Sequence, residues 1–355
     1  MSRLELKIAD ADGVEKGELR TAKDVSVSAG LRRSAIITCT VNARTDRMVP
    51  YIEEHRTMLR AYLDGTLIAN TWITACRDTG SQSQSRLQIA AADPLASRLG
   101  RRRRQEARTF TATDQGEIAM LLVDDENDRA TTNLRTRSYA STTGVSRTLT
   151  TDIDKPIVEQ IRDMADAFDG FDYGVLPVDE DLIMGDFVVW PRRGDNQANV
   201  FYEYGTGKGN IESYDITNED RISSRPAVTG SNNTRATTTN TETENYYGTI
   251  FDSMDSYTDL TSTALLSVLS DRLSVWRSRP RQIIDFQPAA TSRYLPTVDF
   301  DLGDTIQLNI DDGRWTGDNA ITGSVRVYGW ELTRTDAGQA RVKKITISPN
   351  DQGGD

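Results

Sequence analysis

One histidine and two cysteines in 355 residues leave little room for the chemistry those side chains support. A structural zinc site needs four clustered nitrogen or sulfur ligands, and a disulfide framework needs more cysteines at regular spacings. Cys39 and Cys76 stand in unrelated contexts and read as two buried, reduced thiols of a protein made in the cytosol. His55 lies among charges in YIEEHRTMLRAYL, with no nucleophile signature beside it, and reads as a surface or half-buried histidine. No Gly-x-Ser-x-Gly elbow is present. No run approaches 18 apolar residues and the opening MSRLELKIADADG has no apolar core, so neither a membrane span nor a signal peptide is expected. Cations are also in deficit, 42 against 53 acidic residues, for a net charge of −11. Holding a phosphate backbone rests on Lys and Arg, so that role is disfavoured. An acidic wall instead suits a passage through which nucleic acid slides without being gripped.

What is present is mostly β pattern. In residues 1–92, LELKI alternates, ADADGVEKGEL supplies a turn, and KDVSVSAG and SAIITCTV follow as short strands. LRAYLDGTLIANTWI reads as a hairpin with Asp64-Gly65 at its turn, and SRLQIAAADP as a strand stopped by Asp93-Pro94. Residues 93–198 change character. DPLASRLGRRRRQ is expected to form a short helix ending at Gly100. TDQGEIAMLLVDDENDR starts with Asp114 and Glu117 in capping-box spacing. In DIDKPIVEQIRDMADAFDG, Asp154 is the expected cap and Pro156 falls in the first turn. Ile157, Val158, Ile161, Met164, Ala165 and Phe168 recur at helical spacing, and Gly170 ends that helix. FDYGVLPVDEDLIMGDFVVW is expected as a hairpin.

Residues 199–355 return to strands, broken by a Thr/Asn-rich stretch at 229–248, expected as a flexible loop, and by a helix at 258–278. That helix carries a stripe of Leu260, Ala264, Leu265, Val268, Leu269, Leu273 and Trp276. TIQLNI places Ile306, Leu308 and Ile310 on one side. In SVRVYGWELTR the apolar phase slips by one residue beside Gly329, which predicts a β-bulge. A turn at Ala337-Gly338 precedes the last strand.

Four motifs invite a chemical reading. In YEYGTGKGNIES (202–213) Gly207-Lys208 is followed by Gly209, so the hydroxyl of a phosphate-binding P-loop is missing. The spacing Gly-x-Gly-x-Gly also departs from the dinucleotide fingerprint. Glycines 205, 207 and 209 most simply supply positive φ in a wide hairpin. RRRR (101–104) reads as a solvated run at a helix C-terminus. ADADGVEKGEL has the outline of a calcium loop, but aligning Gly13 puts Ile8 and Leu19 where ligands belong. DDENDR (124–129) reads as a solvated helix end. No carboxylate pair is singled out by its context. No catalytic, cofactor-binding or metal-ligating residue is therefore expected.

The order of segments resembles the minor tail or baseplate-hub family of long-tailed bacteriophages, in particular the tail-tip hub of actinobacterial phages. LRAYLDGTLIANTWI is similar to the early hairpin of the first hub barrel, and AADPLASRLGRRR…TFTATDQGEIAMLLVDDEND to the barrel exit and following helix. PIVEQIRDMADAFDGFDYGV resembles that family's helix and strand, and RSRPRQIIDFQP…DFDLGDTIQLNI its late strand pair, where Asp304 caps the turn. The resemblance implies an α+β chain with two β-barrel-like tube domains, 1–92 and 199–355, around a helix-containing insertion, 93–198. It implies a homotrimer at the virion tail tip, assembled in host cytoplasm and linking the sixfold tail tube to the threefold tip. Implied partners are copies of itself, distal tail ring and tail tube proteins, tape-measure protein and other tail-tip proteins. DNA would pass only in transit through the lumen, with no membrane and no cofactor involved. The chain carries no added lysin or carbohydrate-binding part, so no enzymatic activity is expected. The rival readings are a hexameric distal tail ring, a tail-tip cell-wall hydrolase, and a receptor binder using Trp315, for which core or interface packing is the alternative.

Overall fold

The computed structural model describes residues 2–80, 85–138, 142–167, 169–180, 182–205, 209–230, 234–256, 263–313, 315 and 320–348. It begins with seven strands: β1 (Leu4–Ala9), β2 (Glu15–Glu18), β3 (Lys23–Gly30), β4 (Arg33–Asn42), β5 (Met58–Leu63), β6 (Thr66–Gly80) and β7 (Ser85–Ala92). Next come α1 (Pro94–Ser97), β8 (Thr109–Asp114), α2 (Gln115–Arg129), β9 (Leu134–Ser138), β10 (Ser146–Thr150), α3 (Ile157–Ala165), β11 (Asp172–Pro177) and β12 (Gly185–Trp190). The remainder is β13 (Asn196–Gly205), β14 (Ile211–Glu219), β15 (Arg225–Thr229), β16 (Arg235–Thr237), α4 (Thr241–Tyr247) and β17 (Asp252–Ser256). It ends with α5 (Thr263–Trp276), β18 (Arg281–Pro288), β19 (Thr305–Asp311), β20 (Ile321–Arg334) and β21 (Ala340–Ser348).

Thirteen strands from the two ends of the chain form one sheet, ordered β14-β18-β21-β20-β3-β4-β7-β6-β5-β1-β2, with β19 on β20 and β13 on β19. The join is β20. Its first half, Ile321 to Arg326, pairs with β19; its second half, Gly329 to Thr333, pairs with β3; β21 runs along its other edge. The register of β20 on β21 shifts between Val327 and Gly329, so the bulge predicted from the slipped apolar phase is there. It lets Val325 and Val327 before it, and Trp330 and Leu332 after it, all face the core. The expectation of two separate tube barrels meets a single continuous sheet that is not closed. β2 and β14 end its path, and β13 is a third edge. Contacts outside the ladders tie β1 to the β20–β21 turn and β14 to β13. Arg3 bridges Gln339, and Asn210 donates to the Phe201 carbonyl (2.8 Å) while accepting from Glu203 N–H (2.7 Å).

One hydrophobic core runs through both ends, from Leu6, Val27, Ile37 and Ile73 to Phe286, Ile306, Leu308, Ile310 and Ile345. The alternation in TIQLNI is thus realised. Between them a second core gathers Ile118, Leu122, Ile157, Ile161, Phe171, Tyr173 and Phe187 under α2, α3 and the β11–β12 hairpin. Asp114 caps α2 as expected, accepting from Gly116 and Glu117 N–H, and it also accepts from Thr143 and Gly144 N–H. The Asp64-Gly65 turn holds β5 to β6 with both residues at positive φ, and Gly338 (φ 80°) does the same between β20 and β21.

Four expectations need correcting. Asp154 does not cap α3: the N-cap is Pro156, and the Asp154 N–H is taken by Asp152 in a preceding turn. The expected Phe168 contact lies outside the described residues. The stretch 229–248 is not a structureless loop, for it holds β16 and α4. Asn240 caps α4 by accepting from Thr243 N–H, Gly248 (φ 67°) ends the helix, and Thr243 is buried. In α5, Leu269, Leu273 and Trp276 of the expected stripe pack as predicted, but Leu266 joins them where Val268 was expected, and Val268 is 48% exposed. Leu260 and the side chains of Ala264 and Leu265 lie outside the described residues. Finally β13 and β14 do not pair as a hairpin; β13 is parallel to β19 and β14 antiparallel to β18. Gly209 serves close approach, since a Cβ there would stand 2.4 Å from the Glu203 carbonyl oxygen, and Gly207 lies outside the described residues.

Candidate functional site

The most densely built polar site is where the three parts of the chain meet. Asp172 opens β11 with its side chain 1% exposed. Arg326, from the bulged region of β20 and 8% exposed, donates to Asp172 Oδ2 and, through Nη2, to the Arg193 carbonyl at 2.9 Å. Arg32 reaches the same carboxylate from the β3–β4 turn, Nε to Oδ1 at 3.1 Å, and the Arg193 N–H closes the set at 2.7 Å. Arg32 sits at φ 59°, a left-handed backbone uncommon outside glycine and found at tight turns and constrained sites. Around this centre Arg193 pairs with Asp301 (2.7 Å), and Asp304 accepts from the N–H groups of Asp195 and Asp301, both at 2.8 Å. Asp304 therefore caps the turn before β19, as expected. Gly194 (φ 105°) and Gly303 (φ 86°) lie back to back; a Cβ on Gly194 would fall 2.1 Å from the Gly303 carbonyl carbon. A buried carboxylate with this many donors is fully compensated, and removing one partner leaves an uncompensated charge. The arrangement fixes geometry between segments. It does not present a nucleophile or a base to solvent.

A second contact joins the outer face of β5 and β6 to the insertion. Arg60, 5% exposed, pairs with Asp179 at 2.8 Å; Asn70 donates to the Val178 carbonyl at 3.0 Å; Met184 packs with Met58 and Trp72. Arg98 lies over the Trp72 ring at 4.3 Å and donates to the His55 carbonyl. Asp93, fully buried, caps α1 and also accepts from Ala35 N–H at 2.8 Å. Burial pushes its carboxyl up to about 6 despite those bonds.

The residues singled out in the sequence take structural places. RRRR is only half solvated: Arg101 and Arg103 are exposed as expected, but Arg102 donates to the carbonyls of Glu126, Ala130 and Thr131 at the C-terminus of α2, and Arg104 pairs with Asp125 at 2.6 Å. Cations at a helix C-terminus are favoured by its dipole, but the helix is α2 rather than the one the run follows. In DDENDR, Asp125 takes Arg104 and Arg108, and buried Glu126 takes Arg129. Asp10 of ADADG accepts from Asp12 and Val14 N–H in a plain turn. His55 is half-buried with its N–H on the Ile73 carbonyl. Cys39 is buried and Cys76 half-buried; burial pushes their thiols up to about 12 and about 11. Trp315 packs against the main core. Among the described residues no His, Cys, Asp and Glu cluster fits a metal, and no helix is long and apolar enough to cross a membrane. The Asp172 network went unforeseen because its members lie 140 and 154 residues apart in sequence.

No family model and no curated protein matches the chain. Solved structures do. The 43 kDa tail protein of prophage MuSo2 from Shewanella oneidensis superposes with a TM-score of 0.67 at 12% identity, over 99% of both chains. The fold is that of a phage tail protein. A tail protein from Neisseria meningitidis shares the tail-protein fold at a TM-score of 0.66 and 12% identity, over 98% of this chain and 96% of its own. So does an E. coli component of the type VI secretion system, described as structurally similar to T4 bacteriophage tail proteins gp27 and gp5. Its TM-score is 0.52 at 9% identity, over 98% of this chain and 74% of its own. At such identities the likeness is one of fold.

Proposed function

We propose that this chain is a structural component of a bacteriophage virion, a hub at the tail tip of the kind found in long-tailed phages of actinobacteria. The observation that carries the proposal is the end-to-end likeness to prophage tail proteins, which spans nearly the whole of both chains compared. Two features of the sheet support the hub form. Apart from β2, which extends β1, the strands fall into two runs of six, β1, β5, β6, β7, β4, β3 and β13, β19, β20, β21, β18, β14, which meet where β20 pairs with β3. Arg3, just before β1, meets Gln339 in the β20–β21 turn, Asn210 ties the start of β14 to β13, and neighbouring copies would complete the enclosure. Three copies with two such units each match a sixfold tube, and the net charge of −11 suits a lumen for tape measure and DNA in transit. The protein works in this reading by assembly rather than turnover.

Three measurements test it. The purified chain is expected to sediment as three copies; six copies would favour a distal tail ring, and a monomer at high concentration would remove the hub reading. Imaging of the virion is expected to place the chain between tube and tip. Zymography on host wall is expected to show no clearing, and clearing abolished by a single carboxylate substitution would overturn the non-enzymatic reading.

A further inference from the structure

A pocket of about 210 Å³ opens where the β3–β4 turn meets α1 and α3. Arg32, Arg33 and Ser34 line it from the turn, and Glu159 and Arg162 from α3. Three guanidinium side chains thus share a small space with one carboxylate, on a chain whose overall balance is strongly acidic. Arg32 is committed on its far side, to Asp172 and to Asp166 at 3.2 Å. Among the described residues Arg33 and Arg162 form no ion pair, whereas Arg104, Arg135, Arg193 and Arg326 are each matched to a carboxylate. The other acids of α3 do not neutralise them: Asp163 takes Lys155 and Asp166 takes Arg32. Arg33, Arg162 and Glu159 are all exposed, so Glu159 offsets one of the two unpaired cations and leaves the pocket one positive charge that an added anion would match. Guanidinium pairs hold planar oxyanions in a forked geometry, and the space admits a carboxylate with a few waters.

We propose that this pocket is an oxyanion site, filled on assembly by a carboxylate from another copy of the chain. The inference rests on the reading of the chain as a self-assembling component. A second copy brings a surplus of acidic over basic residues, so a basic pocket on one copy and acidic surface on the next are complementary. Seating an anion beside Arg32 also ties the contact to the Asp172 network, which joins the three parts of each chain.

The test uses the full chain at constant ionic strength. Inorganic phosphate and glutarate are titrated by calorimetry, and self-association is followed by sedimentation. Saturable binding of both probes is expected, weakened roughly tenfold or more in Arg33→Ala/Arg162→Ala. The same variant is expected to associate roughly tenfold or more weakly while its thermal midpoint stays near that of the parent. Arg33→Lys/Arg162→Lys is expected to fall between, because lysine keeps charge but loses the fork. Absence of binding by either probe overturns the oxyanion site. Binding of phosphate with unchanged association of the double variant overturns the carboxylate contact while leaving the assembly reading in place. A parent chain that does not self-associate sinks both.

Discussion

Replacing Asp172 by alanine removes three heavy atoms, Cγ and both carboxylate oxygens, and strands a cation. The carboxylate is 1% exposed and receives Arg326, Arg32 and the Arg193 N–H. Arg326, at 8% exposure, keeps only the carbonyls of Gly303 and Arg193 as acceptors once Asp172 is gone. Arg32, at 28%, can turn to water and to Asp166, so its loss adds little. Removing one member of a buried pair leaves the other charged and uncompensated, which costs about 3–5 kcal/mol. Asp172→Ala should therefore lower stability by that amount at fixed protein concentration. Urea unfolding followed by tryptophan emission is a fitting assay, because Trp190 faces Asp172 across the β11–β12 ladder. The companion Asp172→Leu/Arg326→Met should recover much of the loss, since two apolar residues leave no charge to compensate. A loss below about 1 kcal/mol for Asp172→Ala would show that the network is no more than a surface pair and that other contacts align the segments.

Other outcomes follow from single sites. Asp93 titrates near 6 when folded and well below that when unfolded, so its contribution is present at low pH and is lost as pH rises through about 6. Thermal midpoints measured from pH 4 to 7 should thus fall for the parent relative to Asp93→Asn, and parallel curves would contradict the burial argument. Asp114→Ala removes both the cap of α2 and the anchor of Thr143 and Gly144, and should cost about 2 kcal/mol in denaturant titration, the upper end for a cap. Gly194→Ala should cost about 1–3 kcal/mol from backbone strain alone, with the 2.1 Å approach to Gly303 adding to it; a variant as stable as the parent would mean the two loops are free to separate.

Much of the local structure was legible because its causes are local. Asp64-Gly65 dictates a tight turn, Asp114 a helix start, and the phase slip at Gly329 a bulge, each from a few adjacent residues. The misreadings arose where partners are distant. Residues 229–248 lack aliphatics, yet fold by side-chain capping and by docking of Asn240 on the Ser274 carbonyl. The strands either side of the 205–209 glycines pair with β19 and β18, which no hairpin signal reveals. Arg102 and Arg104 read as solvated until α2 is brought to them. Two separate barrels were what the family resemblance implied, whereas a fourteen-residue β20 is long enough to pair with strands from both ends of the chain. The Asp172 site has no sequence signature at all, since Asp, Arg and Gly are common and only the fold makes them neighbours.

The shared strand also sets an order of events during synthesis. Gly30 of β3 finds its ladder partner in Gly329, and at 5–20 residues per second the ribosome needs on the order of 15–60 s to make the chain between them. Throughout that interval one side of β3 has no strand to bond to, so the front of the polypeptide waits, unsealed, for its own last segments. Mispairing with other unfinished chains is the hazard of this topology, because β3 acquires its second neighbour only once β20 has been made.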